Sequence, residues 1–187
     1  MTVPRRLTGV WEREHLRIGG RTVREIGRAI WIEAGGRYID VRAPGRVASG
    51  TSFAGRSVWR APRFTWHHDV DLHPAEGRAD RGDLTIEGDA LVERGTGLDG
   101  SARRYEERWR RLAGPSAPHV VAHARGVAIR LGNHAAALLA TGDPDTGGAC
   151  LWERADSGWV PTITLGAARL PTPTDAGWRP TRGWQHA

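Results

Sequence analysis

Lysine is missing from this 187-residue chain: all 27 of its basic residues are arginine. A Schiff-base amine and a phosphate-loop lysine are therefore excluded. Cysteine occurs once, at Cys150, which rules out an internal disulfide and a multi-cysteine metal site. No apolar run approaches the roughly 20 residues of a membrane-spanning helix, so no membrane association is expected. The opening Met1-Thr2-Val3-Pro4-Arg5-Arg6 leads straight into strand-like sequence without the apolar core of a secretory signal, and a cytoplasmic location is the expectation. The chain also lacks a Gly-x-Ser-x-Gly elbow, a Walker loop, a dinucleotide fingerprint and zinc-ligand spacing. Convincing helical periodicity is scarce.

What is present is arginine, glycine and alternation. The formal net charge is +6, and the mean hydropathy of −0.48 suits a soluble globular protein. Coding bias toward Arg, Ala, Gly and Pro explains much of the basic balance. The arginines are scattered, and the densest group (Arg103, Arg104, Arg108, Arg110, Arg111) is interleaved with Glu106 and Glu107. A nucleic-acid track is a clustered basic stripe, so no nucleic-acid partner is expected.

Twenty-five glycines and 11 prolines punctuate the chain. Leu7–Ile18 opens the strand-like sequence. Ala29–Arg42 is the clearest unit: two alternating runs joined by Gly35-Gly36, the signature of a two-residue hairpin whose turn positions need positive φ. The register follows, with Glu33 opposite Tyr38, Ile32 opposite Ile39 and Trp31 opposite Asp40. A second hairpin turns at Gly88-Asp89 and pairs Ile86 with Leu91. Phe64–Leu72 alternates, with Phe64, Trp66, His68, Val70 and Leu72 on one face. Ser101–Leu112 reads as a strand with Tyr105, Glu107 and Trp109 together, although its charge spacing also suits a short helix. Val120–Ala140 reads as two strands or one long bent one, and Ala149–Glu153 and Val160–Leu165 as the last two. Arg81-Gly82-Asp83 reads as a turn. The expected fold is all-β: an antiparallel up-and-down barrel of about eight to ten strands, because closure removes exposed edges. A β-sandwich is the alternative. Residues 1–167 form the single barrel domain and 168–187 an irregular Pro- and Trp-containing tail.

Gly9-Val10-Trp11 near the start resembles the Gly-x-Trp of lipocalin-like (calycin) barrels. The series Asp80-x-Gly82, Glu93-x-Gly95, Tyr105-x-Glu107-x-Trp109 and Ile129-Arg130-Leu131-Gly132-Asn133-His134 is similar to the Hri-type branch of that group over roughly residues 7–155. The resemblance implies a small calycin-type barrel in which Trp11 packs at the closed end beneath an arginine. It supplies no catalytic residue set. The Gly-x-Trp-x-Gly opening of nitrobindin-like haem barrels is broken by Glu12-Arg13, and no cofactor is expected.

In a small barrel one face of every strand lines the interior. Two orientations follow. In one, Ile30, Ile32, Ile39 and Val41 point inward and the cup is apolar, the usual pattern. In the other, the mixed face of Trp31, Glu33, Tyr38, Asp40 and Arg42 points inward, and Tyr105, Glu107 and Trp109 repeat that aromatic–carboxylate texture on another strand. Aromatic walls with a few polar groups are how small-ligand sites are built. On that reading Glu33, Asp40, His68 and Glu107 are the candidate acid–base groups, since buried carboxyls hold their protons. Trp31, Tyr38, Arg42, Trp66, Tyr105 and Trp109 are the candidate ligand-binding groups. The row His67-x-Asp69-x-Asp71-x-His73 reads as a polar outer face and not as a metal site, because alternate strand residues stand about 6.5–7 Å apart. His134 is expected at the barrel rim and Cys150 in the core. The functional expectation is a barrel holding a partly apolar, aromatic small molecule. The alternative is a cofactor-independent isomerase, cyclase, lyase or hydrolase, and a third class is a protein-interaction module. A homodimer stays open.

Overall fold

In the computed structural model the described residues are 3–24, 26–44, 52–72, 79–97, 102–141, 146–179, 181 and 183–186. Alternating sequence becomes strand throughout: β1 (Gly9–Ile18), β2 (Arg21–Thr22), β3 (Ala29–Glu33), β4 (Arg37–Arg42), β5 (Phe53–Arg60), β6 (Arg63–Asp71), β7 (Ala79–Glu87), β8 (Ala90–Thr96) and β9 (Arg104–Ala113). The strands pair in the order β2-β1-β3-β4-β5-β6-β7-β8-β9, and β9 returns to β1. Eight antiparallel strands thus close a barrel, with β2 a short appendage. The β3–β4 hairpin has the expected register, Glu33 opposite Tyr38 and Trp31 opposite Asp40, over Gly35 and Gly36 at φ 74° and 116°. The β7–β8 hairpin pairs Ile86 with Leu91, also as expected. The segment around Tyr105 is strand β9, not helix. Among the described residues no helix is long and apolar enough to cross a membrane.

The mixed face lines the barrel. Trp11, Trp31, Tyr38, Phe64, Trp66 and Trp109 form one buried interior cluster, while Ile30, Ile32, Ile39 and Val41 point outward. That outward face is not solvated, because a second sheet covers it. Its strands are β10 (His119–His123), β11 (Gly126–Leu131), β12 (His134–Leu139), β13 (Gly148–Ala155) and β14 (Gly158–Gly166). Residues 120–140 therefore make three strands, separated by turns at Ala124-Arg125 and Gly132-Asn133. These later strands do not join the barrel wall. Val127, Ile129, Leu131, Leu138 and Leu151 pack on the isoleucine face of the barrel in a single buried cluster. Each such aliphatic side chain stabilises by roughly 1.5–3 kcal/mol when buried. An apolar outer face needed a cover, and this sheet supplies it.

The tail is ordered around its tryptophans. It forms a small hairpin of β15 (Thr172–Thr174) and β16 (Gly177–Arg179), and then β17 (Gln185–His186), which pairs with β10. Trp178 and Trp184 cover the far face of the second sheet with Val121, Ala128, Cys150 and Trp152. Cys150 is buried, as expected. His134 begins β12 in the second sheet, opposite Glu153, and so is not at the barrel rim.

A bulge overturns the expected face of β6. Ala54 pairs with Val70 but Gly55 pairs with His68, so Asp69 is extra. An extra residue reverses the side-chain alternation beyond it. Phe64, Trp66 and His68 stay inside; Val70 and Leu72 join the outer core. Asp71, expected outside, turns inward.

Candidate functional site

The two ends of the barrel differ. Trp11 sits at one end, where the connections are the short turns 34–36, 61–62 and 88–89. Its indole N–H donates to the Leu7 carbonyl at 3.0 Å. The Arg111 guanidinium lies 4.0 Å over its ring, the expected cap. Glu33 also lies at this end. Its two oxygens accept from the Gly36 N–H (2.7 Å) and the Ser57 hydroxyl (2.8 Å), and burial pushes its carboxyl up to about 8. It is separated from the other candidate acids.

Toward the opposite end the interior becomes polar. A cavity of about 60 Å³ is lined by Trp31, Asp40, Arg42, Trp66, Tyr105 and Trp109, all read from the sequence as site residues, and by Phe53, Asp80, Arg81, Glu93 and Thr96. Asp40 and Arg42 pair side-on within one strand, at 3.0 and 2.8 Å. Burial raises the Asp40 carboxyl, opposed by the Arg42 charge. Glu107 accepts from Arg13 at 2.8 Å, and Arg13 also donates to the Ile26 carbonyl. His68 stacks on Phe53, with ring centroids 4.3 Å apart. Its Nδ1 lies 2.7 Å from Asp71 and its Nε2 3.4 Å from Asp80, the latter without hydrogen-bond alignment. Burial lowers its pKa, but the two carboxylates outweigh that and push it up to about 9. That direction favours the imidazolium form of His68 over a free base.

Glu93, which belongs to the Glu93-x-Gly95 motif but has no site role in the sequence reading, lies at the centre of this end. It faces Glu107 directly across the β8–β9 ladder. It accepts from the Tyr105 hydroxyl at 2.6 Å and the Trp109 indole at 3.3 Å. Burial first, and the neighbouring Glu107 charge second, push its carboxyl up to about 8. The available signal was the hairpin itself: Leu91, Glu93 and Gly95 alternate opposite Tyr105, Glu107 and Trp109. Arg13 was missed because a bulge between Arg13 and His15 interrupts β1, so simple alternation along the strand does not predict its partner. Asp80 belongs to the Asp80-x-Gly82 motif, whose spacing by itself points to no role.

The wall opens beside Glu93. β7 and β8 pair only as far as Asp83 opposite Arg94. Beyond that, β7 continues on β6 alone and Gly95–Thr96 continue on β9 alone. The tripeptide Arg81-Gly82-Asp83 is therefore strand at the lip of a notch, not a turn. A Cβ at Gly82 would stand 2.8 Å from the Glu93 side chain, and one at Gly95 2.7 Å from the Tyr105 hydroxyl. The two glycines leave the room those side chains occupy. A groove of about 800 Å³ fills the notch and shares Asp80, Arg81, Thr96 and Tyr105 with the inner cavity. On the β1 side, Val23 and Ile26 cover Leu16, Ile18 and Tyr105.

Among the described residues, several buried polar atoms of the interior have no hydrogen-bond partner: the Trp31 indole N–H, the Tyr38 hydroxyl and one oxygen of Glu107. Among the described residues no His, Cys, Asp and Glu group has the arrangement of a metal site. The expected row along β6 comes apart at the bulge. Asp69 pairs outside with Arg56, Asp71 bonds His68 inside, and His73 lies outside the described residues.

The model of the HRI1 protein family matches residues 9–183. Comparison with curated proteins and with solved structures finds no match.

Proposed function

The chain belongs to the HRI1 family, and on that footing we propose that its barrel binds a small molecule at the polar end, through hydrogen bonds to an aromatic-walled interior. The observation that carries this reading is the set of unsatisfied buried groups. Trp31, Tyr38 and Glu107 each present a polar atom without a partner inside the barrel. Leaving such a group unpaired costs about 1–3 kcal/mol. Trp31 lines the inner cavity, and a ligand offering an acceptor to its indole N–H there would recover that cost. The inner cavity of about 60 Å³ is far below the roughly 300–1,000 Å³ of a drug-sized site. It takes the head of the ligand, and the groove in the notch takes the rest. The barrel is also read as calycin-like, supported by its eight-strand next-neighbour order and by Arg111 capping Trp11.

A second reading is acid–base catalysis by the same end. Glu93 facing Glu107 favours it, since a carboxyl pushed up to about 8 is part protonated at neutral pH and suited to give or take a proton. Here Tyr105 and Arg42 would orient the substrate.

Native and denaturing mass spectrometry of the same sample, with an absorption spectrum from about 250 to 700 nm covering the aromatic band and any band from a bound chromophore, tests the binding reading. A mass excess lost on denaturation supports it. A bare polypeptide mass that also shows no tryptophan fluorescence change across a library of polar aromatic compounds overturns it. Turnover of a bound compound that disappears in Glu93→Gln, with the fold intact, would favour the enzyme.

A further inference from the structure

We propose that the notch between β7 and β8 is an anion subsite, which takes the phosphate group of a phosphate monoester whose uncharged part enters the barrel beside Tyr105 and Glu93. The inference deepens the small-molecule reading and rests on it for the second half of the ligand only.

Five arginines line the groove: Arg17, Arg63, Arg81, Arg94 and Arg104. Two are committed. Arg63 pairs with Asp83 at 2.6 Å and Arg94 with Glu106 at 2.9 Å. Arg17, Arg81 and Arg104 are exposed and have no ion pair among the described residues. The remaining carboxylate of the groove, Asp80, lies 3.4 Å from the inward-facing His68. On the adjoining β1–β9 face the arginines are matched: Arg108 and Arg110 meet Glu12, Glu14 and Glu87. Three arginines without an ion pair among the described residues thus stand together where the wall opens beside Glu93.

Among the described residues, five arginines against three carboxylates give the groove lining a charge of +2. A phosphate monoester carries about −1.5 to −2 at neutral pH, and the guanidinium fork matches its oxygens. The groove is too large for a bare ion and adjoins the inner cavity, with which it shares Asp80, Arg81, Thr96 and Tyr105. A ligand held by its phosphate outside therefore has its other end beside the inner cavity.

The test is titration of the full chain with phenyl phosphate, phenol, benzoate, inorganic phosphate and an oligothymidylate, followed by calorimetry and tryptophan fluorescence. Wild type is compared with Arg81→Gln, Arg104→Gln and Arg17→Gln, and with Arg37→Gln at the opposite end as control. The three groove arginines are exposed and have no ion pair among the described residues, so their variants should keep the fold; circular dichroism checks this. Phenyl phosphate should bind at least about tenfold more tightly than phenol, lose about tenfold in each groove variant, weaken with added salt and stay unchanged in the control. Equal binding of phenyl phosphate and phenol, or indifference to the groove variants, overturns the proposal. Benzoate binding as well as phenyl phosphate overturns the phosphate assignment in favour of a carboxylate. Tighter binding of the oligothymidylate overturns it in favour of a polymer. Inorganic phosphate binding that the groove variants abolish, with no fluorescence response to phenol, upholds the subsite and overturns the interior reading instead.

Discussion

Two carboxyl groups that face each other across a ladder, away from water, cannot both ionise cheaply. Glu93 and Glu107 are such a pair, and Arg13 sides with Glu107. The proton therefore stays with Glu93, where Tyr105 and Trp109 hold the other contacts. The consequence for stability has a definite sign. Glu93 has a folded pKa pushed up to about 8, above the roughly 4.3 of an unfolded glutamate. Its contribution is full below that unfolded value and is lost as pH rises toward 8. Glu33, also pushed up to about 8, acts in the same direction. Urea unfolding between pH 5 and 9 should show stability falling as pH rises, and Glu93→Gln should flatten part of that fall. An unchanged slope in the variant would contradict the assignment. Tyr105, Glu107 and Trp109 were legible as a group because they alternate on one strand. Glu93 was not, since its importance comes from the strand opposite.

At the scale of the element, one extra residue decides what β6 contributes. The bulge at Asp69 brings Asp71 inward to His68 and sends Val70 and Leu72 to the outer core. It depends on Gly55, where a Cβ would stand 2.0 Å from the His67 carbonyl oxygen and 2.7 Å from the Asp69 amide. Backbone atoms cannot move aside as a flexible side chain can. Gly55→Ala should therefore cost about 1–3 kcal/mol or more, measurable as a lower urea midpoint. It should also displace His68, visible as a downward shift of its imidazole pKa by NMR as Asp71 withdraws. A neutral effect on both would mean that the bulge does not need the glycine. Alternation alone placed Phe64, Trp66 and His68 on one face correctly. It failed beyond His68 because a bulge leaves no mark in the hydrophobic pattern of a single strand.

At the scale of the whole molecule, barrel and second sheet share one apolar core. Ile30, Ile32, Ile39 and Val41 meet Val127, Ile129, Leu138 and Leu151 there, and Arg28 bridges Glu12 of the barrel and Glu153 of the sheet at 2.8 and 2.6 Å. The two layers should unfold together. Leu151→Ala should cost about 2–5 kcal/mol and lower the midpoint seen by tryptophan fluorescence and by far-ultraviolet circular dichroism equally. Two separated transitions would show independent units. The amino-acid sequence by itself determined the strands, the glycine hairpins and their registers, because period-two alternation and positive-φ turns are local properties. It also determined which residues travel together on a face. Which face lines the barrel was decided only in the tertiary structure. An apolar face is equally content against a lumen or against another sheet, and the covering strands lie about 90 residues further along the chain, beyond the reach of any local pattern. The same holds for the notch: the arginines and glycines are written in the sequence, but only the parting of β7 from β8 brings them to one opening.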